Sequence, residues 1–443
     1  MKSVCRFLLA PALVYLSMSP LPAQDNTELL NRMRAMEERI KTLEAEVQTL
    51  KGQPAATAAA VPAAAPQPPA PDVAPQLGGA GEAAAKSLNP DISLIGDFVG
   101  AAGHPGNRPT SALEMHESEL GVQAIIDPYG RADFFITFGE HGVDLEEGYI
   151  TFTSLPAGLQ LKAGKMRAAF GKANTLHNHV LPWVDRPLVT QNLVGGEDGI
   201  DDAGVSLSRL IPAPKGLFLE ATTQVYRGDS ENVFASARRS QLATVAHLRA
   251  YSDINESTNI DVGASYARGH SPFADAWNQL YGFDATLRWK PLRRAIYHSF
   301  NARSEIIWTR TPVSIPGLIS PVAQFAPATA VIKPAGFYVS GEYQLGRRWF
   351  LGGRYDNSQR GACLPTNPAT TSACDLNSFA LNPRLQSTLL RDTGGSVLLT
   401  YWPSEFSQIR GQLRRTAYGG GFTANELVFQ LLLSMGAHGA HPF

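Results

Sequence analysis

Charge is scarce in this sequence and favours neither sign. Asp, Glu, Lys and Arg make up 17% of the 443 residues, with 38 Lys+Arg against 39 Asp+Glu. Neither a nucleic acid nor an acidic surface is therefore implied as a partner. Aromatics are few at 9%, and there are only 3 cysteines. Cys5 precedes an apolar run, where a lipoprotein cysteine would follow one, so it is read as discarded with a leader. That leaves Cys363 and Cys374 in "GACLPTNPATTSACD". An even pair across a short polar stretch in an oxidising compartment reads as a loop disulfide, with two free thiols or a metal pair as the weaker readings. From about Asn89 onward the sequence has no helical period and no run of the ~18 apolar residues that a spanning helix needs. No serine, histidine and acid arrangement stands out by its spacing, so neither an enzyme nor a cofactor is expected.

The N-terminus supplies the compartment. "MKSVCRFLLAPALVYLSMSPLPAQ" has Lys2 and Arg6, an apolar run from Phe7 to Met18 and a small-residue site ending at Ala23. Residues 1–23 thus read as a secretory signal. Residues 25–52 carry a heptad seam, with Met33, Ile40 and Val47 at a and Leu29, Met36, Leu43 and Leu50 at d. Such a seam should oligomerise; its residues lean towards two strands, but so short a coil can follow a trimer imposed by the attached domain. Residues 53–88 are rich in Pro, Ala and Gly and form a partly extended linker.

Residues 89–443 alternate. In "YGFDATLRWKP", Tyr281, Phe283, Ala285, Leu287 and Trp289 share one face opposite Asp284, Arg288 and Lys290. Near the end, Leu427, Phe429, Leu431, Leu433 and Met435 lie opposite Glu426, Gln430 and Ser434. Period two means strands. The segments number about sixteen: 91–103, 113–127, 131–139, 143–154, 159–170, 202–212, 217–228, 242–254, 258–269, 278–290, 298–311, 334–345, 348–359, 392–402, 406–418 and 425–436. Connections alternate too. "DPYG", "LPAG" and "LGRR" belong to a short set, and Gly171 to Asp201, Thr311 to Lys333 and Gln359 to Arg391 to a mostly longer one. Short turns on one side and long loops on the other predict an all-β chain, a transmembrane antiparallel barrel of about 16 strands, with both ends on the periplasmic side. Its outer face would meet outer-membrane lipid, and the coiled coil would lie in the periplasm.

The alternating last strand that ends in Phe443 resembles the assembly signal of bacterial outer-membrane proteins, although a polar "AHGAH" interrupts it. That resemblance implies recognition by the barrel assembly machinery. The connection "GKANTLHNHVLPWVDRPLVTQNLVGGEDGID" is too long, and too apolar at Val180, Leu181, Trp183, Leu188, Val189 and Val194, to remain in water. It should fold into the lumen, a position similar to the constriction loop of trimeric porins. "LKAGKMRAAFGKAN" before it resembles the corresponding stretch of the phosphate-selective porin O/P family, whose layout of signal, short coiled coil and barrel is also similar. By position, Lys165 and Arg167 would lie near the pore entry.

Charges on the polar faces would set selectivity in a narrow lumen or pair across the wall, and the sequence leaves both open. The constriction and selectivity candidates are Lys165, Arg167, Lys172, Asp185, Arg186, Arg288, Lys290, Arg303, Arg354, Arg410 and Arg414. The basic residues are interleaved with Glu117, Glu119, Asp133, Glu220, Asp284, Glu305 and Glu342, so an anion ladder does not carry over. "QIRGQLRR" places Arg410 and Arg414 on a face without an acid, which favours a modest anion preference. His177 and His179, with Asp185 nearby, are candidate metal ligands or plain polar loop histidines. "NTLHNHVLPWVDRPLV" and the "GAHGAHPF" tail with His438 and His441 resemble environmental outer-membrane proteins described as zinc-regulated and receptor-like, which implies metal acquisition. A TonB-type receptor would need a plug before a larger barrel, and residues 1–88 do not read as one. The expected function is a trimeric diffusion porin for small hydrophilic or ionic solutes, with metal-associated uptake as the alternative.

Overall fold

A computed structural model divides the chain into two units, residues 1–77 and 78–443. It describes residues 38, 41, 90–105, 110–140, 142–230, 233–315, 318–320, 323–325, 328–361, 389–419 and 421–436. In the first unit Glu38 and Lys41 are helical and exposed, as a seam flank requires. The leader, the rest of the seam, the linker, Cys363, Cys374, His438, His441 and Phe443 lie outside the described residues.

The second unit is built from strands β1 (Asp91–His104), β2 (Leu113–Asp127), β3 (Gly130–Gly139), β4 (Gly142–Phe152), β5 (Leu159–Arg167), β6 (Asp201–Ile211), β7 (Leu217–Tyr226), β8 (Ala243–Asn255), β9 (Thr258–His270), β10 (Trp277–Trp289) and β11 (Phe300–Ile315). They are followed by β12 (Leu318–Ser320), β13 (Ala323–Phe325), β14 (Ala328–Ile332), β15 (Ala335–Gln344), β16 (Trp349–Gly361), β17 (Leu389–Ser404), β18 (Ser407–Tyr418) and β19 (Phe422–Gly436). β12 and β13 pair only with each other, and β14 prolongs the pairing of β11. The other sixteen each pair antiparallel with their neighbours in the chain, and β1 pairs with β19 as well as with β2. The sheet therefore has no free edge. Closure runs from Ser93 opposite Gly436 to His104 opposite Asn425, so the wall begins and ends on the edge that carries the short turns.

The wall is inside out. Along β19, Leu427, Phe429, Leu431, Leu433 and Met435 are exposed, while Glu426, Val428, Gln430, Leu432 and Ser434 are buried. The same holds for Val397 and Leu399 against Ser396 and Thr400 on β17. Tyr129, Trp349 and Phe406 stand exposed near the short turns, where an aromatic girdle belongs. A closed sheet with an apolar outside and a polar inside has its low-energy face in hydrocarbon, since every backbone group is satisfied within the sheet. Among the described residues no helix is long and apolar enough to cross a membrane; strands make the crossing. Leu431, opposite Phe98 and Ile409 in the neighbouring strands, gives a direct check. Leu431→Arg should destabilise the barrel by about 2–4 kcal/mol in vesicle refolding, whereas Leu431→Val should cost far less.

Strand boundaries differ from the sequence expectation in two informative places. β5 stops at Arg167 rather than running to 170, because Ala168 makes a single bond across to Ile200 and the chain then turns inward. β11 runs on to Ile315, where its extension pairs with β14 beyond the wall.

Candidate functional site

The segment between β5 and β6 leaves the wall and returns to it at one point. Ala168 N–H donates to Ile200 O at 2.8 Å, and the buried Asn174 amide closes this base by donating to Ala168 O and Ile200 O and accepting from Ile200 N–H. Gly171 and Gly199 permit the fit. Both have positive φ, 62° and 71°, and a Cβ would collide with the Glu305 carboxylate or the Asn174 amide.

From this base the loop spans the bore. Its apolar side chains Phe170, Leu181, Trp183, Val189, Leu193 and Val194 are buried against inward-facing Tyr226, Val245, Leu280, Ile307, Tyr338 and Leu398. Helix α1 (Leu188–Leu193) packs on β15 and β16. Trp183 lies edge-on to Tyr338 at 5.1 Å with the Arg354 guanidinium 5.0 Å from its ring. The wall catches the loop's polar groups all round. Ala169 N–H donates to Gln224 on β7, Gly171 N–H to Ser265 on β9, and Lys172 and Ala173 N–H to Glu305 on β11. Leu188 N–H donates to Asp356 on β16, Asn192 to Asp392 on β17, and Arg410 on β18 to Leu181 O.

Lys172, paired with Asp261 on β9, is one charged anchor of the loop, and two more involve Asp185 and His177. Asp185 accepts from Arg354 at 3.0 Å and from Gln412 at 2.5 Å, and pairs with Arg414 at 3.0 Å. Burial opposes its ionisation, but the two guanidiniums outweigh that and hold the carboxyl down at about 2. The other anchor is His177, whose Nδ1 lies 2.6 Å from Glu119 and whose Nε2 lies 2.8 Å from Glu147. Burial favours a neutral ring, yet the carboxylates raise His177 to about 10, so both nitrogens donate at neutral pH. His179, pushed down by burial, sits 3.7 Å from Glu119 and edge-on to His177.

Several residues expected at a constriction lie on or beside this loop. Lys165 pairs with Asp144 and Asp201, Arg167 with Glu146, and Lys172 with Asp261. Arg354 also holds Asp356, and Arg410 bonds Thr400 and Gln430. Arg186 serves another purpose. It is buried and bonds Asn178, Ala173 O and Leu176 O, all within the loop, so it braces the loop rather than lining a passage. Arg288 is half-buried, 3.9 Å from Asp261, and Arg303 half-buried on the inner face of β11. Lys290 is exposed just past β10 on the short-turn edge, away from the loop. The acid-free face expected for Arg410 and Arg414 is corrected: Glu426 on β19 lies opposite Arg414 and accepts from it at 2.7 Å. Asn174, Asp356, Asp392, Glu146 and Glu147 escaped the sequence reading. For the four strand residues the signal, an inward position, does not say which of them a loop will reach, and Asn174 carries no signal of its own in the loop.

No family model matches the chain. A protein of Aquifex aeolicus (strain VF5), itself described only as an uncharacterized protein, is 28% identical over 415 residues, with 81% of each chain covered. Among solved structures, in-vitro folded OmpT, an outer membrane protein of Vibrio cholerae, superposes with a TM-score of 0.49 at 10% identity, covering 78% of this chain and 97% of its own. The anion-selective porin from Comamonas acidovorans gives 0.48 at 8%, covering 78% and 100%. Pseudomonas putida OprB gives 0.49 at 10%, covering 80% and 96%. These likenesses are distant, and the barrel stands on its own strand pairing.

Proposed function

We propose that this chain is an outer-membrane channel through which small hydrophilic or ionic solutes diffuse passively, with its bore set by residues 168–200. The observation that carries this reading is the loop itself, held across a polar lumen by bonds to strands from β2 round to β18. A sixteen-stranded barrel without such a loop encloses a wide aqueous channel. With the loop docked, the buried charges of the inner face segregate into an acidic sector, Asp97, Glu117 and Glu119 on β1 and β2, and an arginine-rich one, Arg354, Arg360 and Arg410 on β16 and β18. Many charges of the inner face are paired, as Arg249 with Asp261 and Arg360 with Asp392. Paired charges in a wall give weak selectivity rather than a ladder for one ion. Neither phosphate preference nor a strong preference for either sign is part of the proposal. Assembly as a trimer through the seam at residues 25–52, and insertion from the periplasm, belong to the same reading.

Planar-bilayer recording of the folded chain under a salt gradient tests it. Conductance steps in threes with a small reversal potential are expected. Folded, inserted protein that gives no steps would refute passive diffusion. That result would favour the second reading, metal-associated uptake, which draws on the meeting of His177 and His179 with Glu119.

A further inference from the structure

The acidic sector is overfilled where the loop meets it. Glu117 and Glu119 on β2 and Glu146 on β4 offer carboxylate oxygens within 4.8 Å of one another, and Glu119, His177 and His179 form a second trio of the same spread. All five residues are buried: Glu117 is 8% exposed, Glu119 2%, Glu146 6%, His177 9% and His179 5%. Glu117 Oε2 and Glu146 Oε2 are sealed from water without a hydrogen-bond donor. Glu147 joins the same group through His177. Four carboxylates thus meet in one buried patch, where Arg167 bonds Glu146 and the His177 ring lies between Glu119 and Glu147. Buried carboxylate charge left uncompensated is expensive, and an orphaned buried oxygen adds to the cost. A divalent cation, which takes several oxygen ligands at once, would relieve that cost.

We propose that a divalent cation binds between wall and loop on Glu117, Glu119 and Glu146, with the imidazoles of His177 and His179 as its loop-side donors. The mixed oxygen and nitrogen set suits Mn2+ or Zn2+ better than Mg2+ or Ca2+, which prefer oxygen alone. Three ligands come from strands and two from the loop, so the ion would fasten the loop to β2 and β4 in place of the His177 ion pairs. As a resident ion it would latch the loop in position, a role separate from carrying metal through the channel. A proton shared by Glu117 and Glu146 is the competing way to relieve the same crowding.

The test is Mn2+ binding to the full folded chain in detergent, read by the loss of the free-ion electron paramagnetic signal, with Zn2+ as competitor and Mg2+ as control. It needs no conductance, so it can fail independently of the channel reading. One Mn2+ per barrel, displaced by Zn2+ and not by equimolar Mg2+, is the expected result. Glu117→Gln keeps the side-chain volume, removes no partner of His177 and should weaken binding by about tenfold or more. His177→Ala with His179→Ala should also weaken it and narrow the margin over Mg2+. A heat-modifiable gel shift identical to the parent's shows each variant folded. No binding by the parent would favour the shared proton and overturn the proposal, as would affinity unchanged in folded Glu117→Gln. Unchanged affinity in the double histidine variant would reduce the site to wall carboxylates and overturn the latch.

Discussion

Single channels of Asp185→Ala should conduct more, and prefer anions more strongly, than those of the parent chain. The carboxylate is the point at which Arg354, Gln412 and Arg414 hold the loop. The side chain of Arg354 is 1% exposed and that of Arg414 12%, so losing their shared partner leaves poorly hydrated cations. Breaking a buried pair costs about 3–5 kcal/mol, and this case falls toward the lower end because Asp356 and Glu426 remain. The cheapest relief is for the loop to lift from β16 and β18 and admit water. That opens the bore and presents two guanidiniums to it. Acid does not imitate the mutation. The folded Asp185 titrates near 2, below its ordinary 3.8, so its share of the docking energy is complete above the ordinary value and is lost only as pH falls through about 2. Recordings at pH 4 and pH 7 should therefore show the same Asp185-dependent closure. A variant that matches the parent in conductance and reversal potential would sink this assignment.

A larger effect should follow from excising the loop. The cut takes the Asn174 amide from the base but leaves the bond between Ala168 and Ile200 that joins its two ends. Replacing residues 171–198 by a short Gly-Ser turn should raise conductance severalfold while the barrel keeps its β-sheet spectrum. It should also lower the melting temperature, since Tyr338, Ile307, Leu280 and Val245 then face water. Trp183→Ala is a milder version of the same cut. Removing this 3%-exposed side chain should cost about 3–5 kcal/mol of docking energy and raise the frequency of open excursions. Excision with no gain in conductance would mean that residues 168–200 do not limit the bore.

The architecture could be read from single strands, because each carries its own two-residue period and its own turn. β19 shows this best: Leu427 to Met435 were expected on the lipid face and are exposed there. The inward fold of the loop was legible from Leu181, Trp183, Val189 and Val194, which had to be covered by something. What covers them was not. Glu305 and Asp356 are 132 and 168 residues from the loop groups they bind, and only the stagger of a closed sheet brings them there. Arg414 teaches the same lesson about neighbours: its own strand offers no acid, and Glu426 arrives from the next by register. His177 looked like half of a metal pair, while the carboxylates that surround it belong to β2 and β4, whose inward faces gave no hint of the loop.

The seam between β1 and β19 and the docking of the loop together impose an order on assembly. Leu181 and Asp185 are synthesised well before their partners Arg410 and Gln412, which follow 229 and 227 residues later. Gln430 must likewise reach Asp97 across 333 residues to complete the circle. Contacts so distant along the chain form late. The strands that complete the wall thus also bring the loop's last partners into place.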